Sequence, residues 1–448
     1  MQSYLSLTER FRAGQTSPAQ ELEARLTRLD QCEPRLKAFV HVAREQARAD
    51  AAASSERWRK GEPLSLIDGM PLAIKDIIET EDMPTGQGSP LWEGTQTRRD
   101  SASVMALRQA GAIILGKTTT TEYAATEPLH STTNPHDPAR TPGGSSSGSA
   151  AAVGAGIVPA ALGTQVVGST LRPASYNGCV GFKPTVGALN RSGSYDHLSQ
   201  SCHGILAATP SDIWIVASTI AARVGGDPGF PGLYGPLMPP APRAPRQFAV
   251  LETAGWGKTT EGARAAFAAA RTRLEQLGVA LADRHGDPKI ERAEQALAEA
   301  SPLTFRIFEW ELRWPLGAYA NRPNGLTEAL RRRLGAGLAH TLDDYRAALR
   351  GREEVRARYA EAAANYDGCI TLAATGAAPV GLGWTGDPVM NIPASLLGVP
   401  ALSMPLLRDE HLPLGLQVLG RKDEDADLLA VAEWLWQSYP EQPARPAS

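Results

Sequence analysis

The sequence predicts an α/β fold, with a mixed, mostly parallel central β-sheet covered by helices on both faces. Three observations predict it. Short, wholly apolar runs such as Met70–Ile74 and Ala112–Leu115 read as strands buried on both faces. These runs alternate with longer stretches at helical spacing, which is the order of elements in an α/β sheet. The composition is that of a folded chain: 42% hydrophobic and 21% charged residues over 448 positions, a length that accommodates a large buried core.

Residues 2–60 read as helical. Ser17-Pro18-Ala19-Gln20 is a capping box with proline at the first helical position. It opens a helix carrying Leu22, Leu26 and Leu29, and a second helix is expected at about 39–60. Gly69 turns the chain into a buried strand ending at Lys75, followed by a helix at 101–110 and a strand at Ala112–Leu115 that leaves the sheet at Gly116. A buried helix at about 147–156 and a strand at about 159–163 come next, then a helix at 210–223. Residues 225–246 are rich in Pro and Gly and read as a surface connection. Phe248–Leu251 is a strand and 259–277 a helix. Residues 288–365 are dominated by Ala, Arg, Glu and Leu and read as a helical insertion in what is otherwise one domain over 1–448. Strands at Ile370–Ala373, Pro400–Pro405 and Leu414–Leu419 and a helix at 424–438 complete the chain.

The 45 basic and 48 acidic residues give a formal net charge of −3. A protein that binds nucleic acid or an anionic membrane surface carries a basic excess, so neither partner is expected. The cysteines, Cys32, Cys179, Cys202 and Cys369, are far apart and form no C-x-x-C pair. That pattern fits reduced thiols in a cytoplasmic protein rather than a disulfide framework or a zinc site. The N-terminal residues show no basic segment followed by a long apolar run, so no signal peptide is expected.

One segment is unusual. No charged residue occurs between Arg140 and Arg172. The glycines and serines here, with Pro142 and Pro159, argue against a membrane span. A flexible linker is also a poor fit, because the Gly/Ser cluster runs directly into apolar sequence from Ala150 to Leu162. A buried, tightly turning core is the better reading. Two motifs nearby mislead. Gly111–Thr118 matches the phosphate-loop pattern letter for letter, but its middle is an apolar strand and no helix follows. Gly144-Ser145-Ser146-Ser147-Gly148 matches the nucleophile elbow of α/β-hydrolases, but a loop precedes it where a strand is required. That mechanism also needs a histidine base, and His285, His340 and His411 lie in polar sequence. His130 and His136 lack the spacing of metal ligands, and no metal or other cofactor is expected.

What remains is a serine-rich loop, a second Gly-Ser site at Gly163–Ser175, and Lys75 in an apolar frame. Here the chain resembles the amidase signature family. The matching stretch runs from Asn134-Pro135 through Pro142–Ser149 and Gly163–Ser175 to Gly181-Phe-Lys-Pro184. Gly69–Asp76 resembles the family's lysine motif, and Asn391-Ile-Pro with Leu412–Val418 its C-terminal signature. The likeness spans nearly the whole chain and is weakest over 225–365.

The resemblance implies the amidase signature fold and a triad of Ser169 as nucleophile, Ser145 as a bridging serine preceded by a cis peptide, and Lys75 as base. It also implies main-chain N–H groups of Val166, Val167 and Gly168 around the oxyanion, and Ser146 supporting Lys75. The chemistry is coherent, because a serine hydroxyl needs a base and lysine serves as one only when burial lowers its pKa. Ser147 and Ser149 read as small residues that admit close packing. Two departures stand out: Arg172 comes one place later than in the common pattern, and His203 stands where an acid is usual. By analogy Tyr123, Tyr195 and Trp384 approach the substrate. The expected activity is hydrolysis of a small-molecule amide by a protein acting alone or as a homodimer. The alternatives are an esterase on the same site and an amidotransferase A-type subunit.

Overall fold

Side chains alternate across a strand, so a strand between two helical layers must be apolar on both sides. Every residue of Pro71–Lys75, Ile113–Thr118, Ala160–Gln165 and Cys202–Ala207 is buried accordingly. The computed structural model describes residues 3–439, so the ends of the expected 1–448 domain lie outside the described residues. Its strands are β1 (Phe39–Val42), β2 (Pro71–Lys75), β3 (Ile113–Thr118), β4 (Ala160–Gln165), β5 (Val180–Lys183), β6 (Cys202–Ala207), β7 (Gln247–Val250), β8 (Ala280–Ala282), β9 (Cys369–Leu372), β10 (Ala401–Asp409) and β11 (Leu412–Leu419). They form one 11-stranded sheet in the order β1-β3-β2-β4-β6-β5-β10-β11-β9-β7-β8.

The α/β class and the mixed sheet are as the sequence predicts, but the parallel share is smaller. Parallel pairing is confined to β3-β2-β4 and β9-β7-β8. From β4 through β9 every neighbour is antiparallel. Part of the cause is local. Glu410 and His411 both have positive φ and close a two-residue hairpin between β10 and β11, a connection that only antiparallel strands can use.

The two faces of the sheet feed different cores. Leu72, Ile74, Ile114 and Leu162 pack with helices Tyr4–Arg12, Pro210–Val224 and Asp425–Ser438. Ala73, Ile113, Leu115 and Ala161 face the other way, toward helices Pro18–Leu36 and Ser147–Gly154. The charge-free segment is buried from Thr141 to Leu171, apart from the half-buried Val167. A charge there would be desolvated without a partner, which accounts for the composition. The phosphate-loop look-alike contains β3, which does not leave the sheet at Gly116 but stays buried and paired to Thr118, with a register shift at Leu115.

Several elements differ from the sequence reading. The expected helix at 39–60 starts only at Arg44, because Phe39–Val42 forms edge strand β1 against β3. β5, β6, β8 and helix Leu171–Asn177 were not expected from pattern; each is short, and all except β8 are buried throughout, so no exposed polar face marks their period. Between β8 and β9 run helices Pro288–Leu297, Ala300–Tyr319, Glu328–Ala339 and Leu342–Ala363. Phe308, Leu312 and Leu330 from this group pack on Ala125, Val166 and Leu198, beside the C-terminal end of β4. The four cysteines are free and buried. No helix among the described residues is long and apolar enough to cross a membrane.

Candidate active site

Lys75 is the last residue of β2, and strand alternation puts its side chain on the face of Ala73, toward helix Ser147–Gly154. It is fully buried, as are its apolar neighbours in sequence Met70, Ile74, Ile77 and Ile78. Its Nζ lies 2.7 Å from Ser145 Oγ and 2.8 Å from Thr164 Oγ1. No carboxylate among the described residues lies within ion-pair distance of it. Burial therefore dominates and holds the lysine pKa down at about 7, offset in part by the field of Asp196. Asp76 points away, as alternation requires, and pairs with Lys117 at 3.3 Å.

The serine loop delivers Ser145 to that amine. The Gly144–Ser145 peptide is cis. Ser146 does not touch Lys75. Its hydroxyl bridges the main chain of Thr164, donating to the carbonyl and accepting from the N–H, each at 3.2 Å. It thus fixes the residue whose own hydroxyl meets Lys75. Ser147 donates to Gly143 O at 2.8 Å and Ser149 to Leu162 O at 3.0 Å. These two serines are hydrogen-bonded staples between loop, helix and β4, which goes beyond the small size the sequence suggested.

The second loop follows β4. The Gln165 side chain accepts from the N–H groups of Thr170 and Leu171, at 2.9 and 3.0 Å, and so opens helix Leu171–Asn177. Gln200 donates to Val166 O at 3.3 Å, and Ser395 to Val167 O at 2.9 Å. In a trans peptide the N–H points opposite to the C=O. Anchoring these carbonyls therefore turns the N–H groups of Val167 and Gly168 the other way. Gly168 leaves a side chain little room: a Cβ would lie 3.0 Å from Asn391 Oδ1 and 3.2 Å from Arg172 Nη1, and one of these would have to shift. The Ser146 N–H donates to Ser169 O at 3.3 Å, tying the two loops together. Ser145, Val166, Val167, Gly168 and Ser169 all line one cleft of about 180 Å³.

A lysine, a serine in contact with it and a second serine on a glycine-bearing turn are thus brought together from three segments of the chain. A family profile described as Amidase matches residues 20–429. The chain belongs to the amidase signature family. Among curated proteins it is similar to the A-type subunit of the glutamyl-tRNA(Gln) amidotransferase of Chloroflexus aggregans, 33% identical with 94% of this chain and 93% of that protein covered. Among solved structures it is similar to one described as an amidase, with a TM-score of 0.85, 29% identity, and 98% of this chain and 100% of that chain covered. A peptide amidase in complex with the inhibitor chymostatin matches with a TM-score of 0.80 and 26% identity, over 100% of this chain and 99% of that one.

Beyond the serines and lysine, this amidase signature protein has features that sequence motifs did not isolate. Thr164 contacts Lys75 directly, and only the pairing of β2 with β4 brings the two together. Asp196 is the acid whose field reaches Lys75; it accepts from the Ser201 hydroxyl. His203, set against an expected acid, is buried in β6 with Nδ1 3.0 Å from Ser103 Oγ, and burial lowers its pKa to about 3, so it is neutral. Arg172 donates to Gly144 O at 2.7 Å and to Thr385 O at 2.8 Å, which joins the serine loop to the segment bearing Trp384. Trp384 lines the cleft that Ser145 and Ser169 share and is half exposed. Tyr123 and Tyr195 line an adjoining cavity of about 640 Å³ instead.

Proposed function

We propose that the protein hydrolyses the amide bond of a small molecule through an acyl-enzyme on Ser169. The observation that carries this reading is the 2.7 Å approach of a fully buried Lys75 to Ser145, beside the cleft that Ser145 shares with Ser169. In the neutral form Lys75 takes the Ser145 proton as Ser145 takes that of Ser169. Ser169 Oγ then forms a bond to the amide carbonyl carbon. The N–H groups of Val166, Val167 and Gly168 receive the negative oxygen, and such a donor is worth about 10²–10³ in rate. The proton returns through Ser145 to the leaving nitrogen as the C–N bond breaks. Water, deprotonated by the same relay, attacks the ester and frees the acid and Ser169.

Ser146 acts at one remove, by fixing Thr164, which holds the second contact of Lys75. The same route cleaves esters. A partner-dependent amidotransferase subunit is the second reading, favoured by the 33% identity to the Chloroflexus aggregans protein of that name. It requires amide turnover that appears only with partner subunits and ATP. Labelling with a fluorophosphonate probe and intact-mass analysis test the main reading. One adduct per chain is expected, absent in Ser169→Ala. Retention of the adduct in that variant overturns the assignment of the nucleophile.

A further inference from the structure

The catalytic cleft, at about 180 Å³, holds little more than an amide group and its nearest substituents. Beside it lies a cavity of about 640 Å³, in the range that takes a whole drug-sized ligand. The two share Ala124, Ala125, Val166 and Phe308 in their walls, so they meet next to the proposed oxyanion turn. Tyr123, Tyr195, Phe308, Trp310, Trp314 and Tyr319 supply aromatic faces to the larger cavity.

These rings are held in place before any ligand arrives. Tyr123 stacks on Tyr319 with centroids 5.2 Å apart, and its hydroxyl donates to Ser89 at 3.0 Å or Gly325 O at 2.9 Å. Trp310 stacks on Tyr345 at 5.3 Å. The charged groups at the rim are already engaged. Glu311 accepts from the Tyr345 hydroxyl and the Ser199 N–H, both at 2.8 Å, and Arg313 lies over the Trp310 ring at 3.2 Å. Asp196 is occupied by Ser201. Hydrogen bonds and ring contacts thus hold Glu311, Arg313 and Asp196 in place around the aromatic walls. Trp314 is 78% exposed and Tyr195 37% exposed, so both present free ring surface to a ligand in the cavity.

We infer that the substrate amide carries a bulky aromatic group, seated in this cavity between helix Ala300–Tyr319 and the segments bearing Tyr123 and Tyr195, which sets the substrate class of the enzyme. The inference rests on the amidase reading of the neighbouring cleft. Part of the cavity wall, Phe308, Trp310, Trp314 and Tyr319, comes from the segment where the sequence resemblance is weakest, so this share of the selectivity lies outside the shared motifs.

Two experiments test it. In the first, Ser169→Ala protein is titrated with 2-naphthylacetamide and with acetamide while tryptophan fluorescence is followed. This needs no turnover, so it stands even if the triad assignment fails. Saturable quenching by the naphthyl amide, at least tenfold tighter than any effect of acetamide, is expected. Equal or absent responses overturn the inference. In the second, kcat/KM is compared for naphthyl and methyl amides, with the ring on the acyl or the amine side, in wild type and Trp314→Ala. Trp314 is exposed, so the variant folds. A preference for the ring on either side that drops about tenfold in the variant supports the inference. A preference absent in wild type, or untouched in Trp314→Ala, overturns it.

Discussion

Lys75, Lys117 and Lys183 have no exposed surface, and their surroundings separate their roles. Lys117 pairs with Asp76 at 3.3 Å and donates to Pro84 O and Thr85 Oγ1. Lys183 donates to Pro184 O at 2.8 Å and has Asp425 in its field. Among the described residues Lys75 donates only to two hydroxyls, and the field of Asp196 offsets its burial only in part. Its pKa of about 7 sets the pH dependence of the proposed reaction. Below that value the ammonium has no lone pair to accept a proton. We therefore expect kcat/KM to rise with pH, with an apparent pKa near 7, and then to level off; a flat profile through neutrality would remove Lys75 as base. Replacing it, as in Lys75→Met, is expected to lower kcat by about 10²–10⁴, the usual contribution of a general base. Thr164→Val removes one of its two anchors and is expected to lower kcat about tenfold with little change in KM, read from steady-state kinetics.

Helix Ser147–Gly154 is buried on all sides, so backbone approaches it closely. At Gly148 an added Cβ would lie 2.1 Å from Ala38 O and 2.6 Å from Thr119 N, atoms that cannot move without shifting β1 or β3. Gly148→Ala is expected to destabilise the protein by about 2 kcal/mol, the scale of overpacking in a closed core. Gly335 gives the opposite case. It lies inside helix Glu328–Ala339 with nothing within 4 Å of an added Cβ. Gly335→Ala is expected to stabilise by about 1 kcal/mol, because alanine loses less backbone freedom in a helix. Thermal and chemical unfolding of the two variants checks both signs. The pair separates a glycine demanded by packing from one tolerated on a surface, a distinction that sequence pattern does not make.

Across the molecule, the helices between β8 and β9 are joined to the end of the sheet by a few polar contacts. Thr327, which caps helix Glu328–Ala339, donates to Glu122 at 2.6 Å, and the Tyr123 hydroxyl reaches Gly325 O at 2.9 Å. Cutting the second contact with Tyr123→Phe is expected to speed amide hydrogen exchange in residues 325–339 several-fold, while β2 and β4 keep their protection. Unchanged exchange would show that apolar packing alone holds these helices. The contact also shows where sequence ran out. By itself the sequence determined the α/β class, the burial of the charge-free segment, Lys75 at a strand end and the two serine loops, because each leaves a local mark: an apolar run, a missing charge, a glycine at a turn. Tertiary structure alone decided the antiparallel middle of the sheet, the contact of Thr164 with Lys75, the hydrogen bonds of Ser146 with the main chain of Thr164, and the aromatic cavity beside the cleft. These depend on which distant segments pair, and pairing follows from summed packing over the whole chain, which no single stretch of residues records.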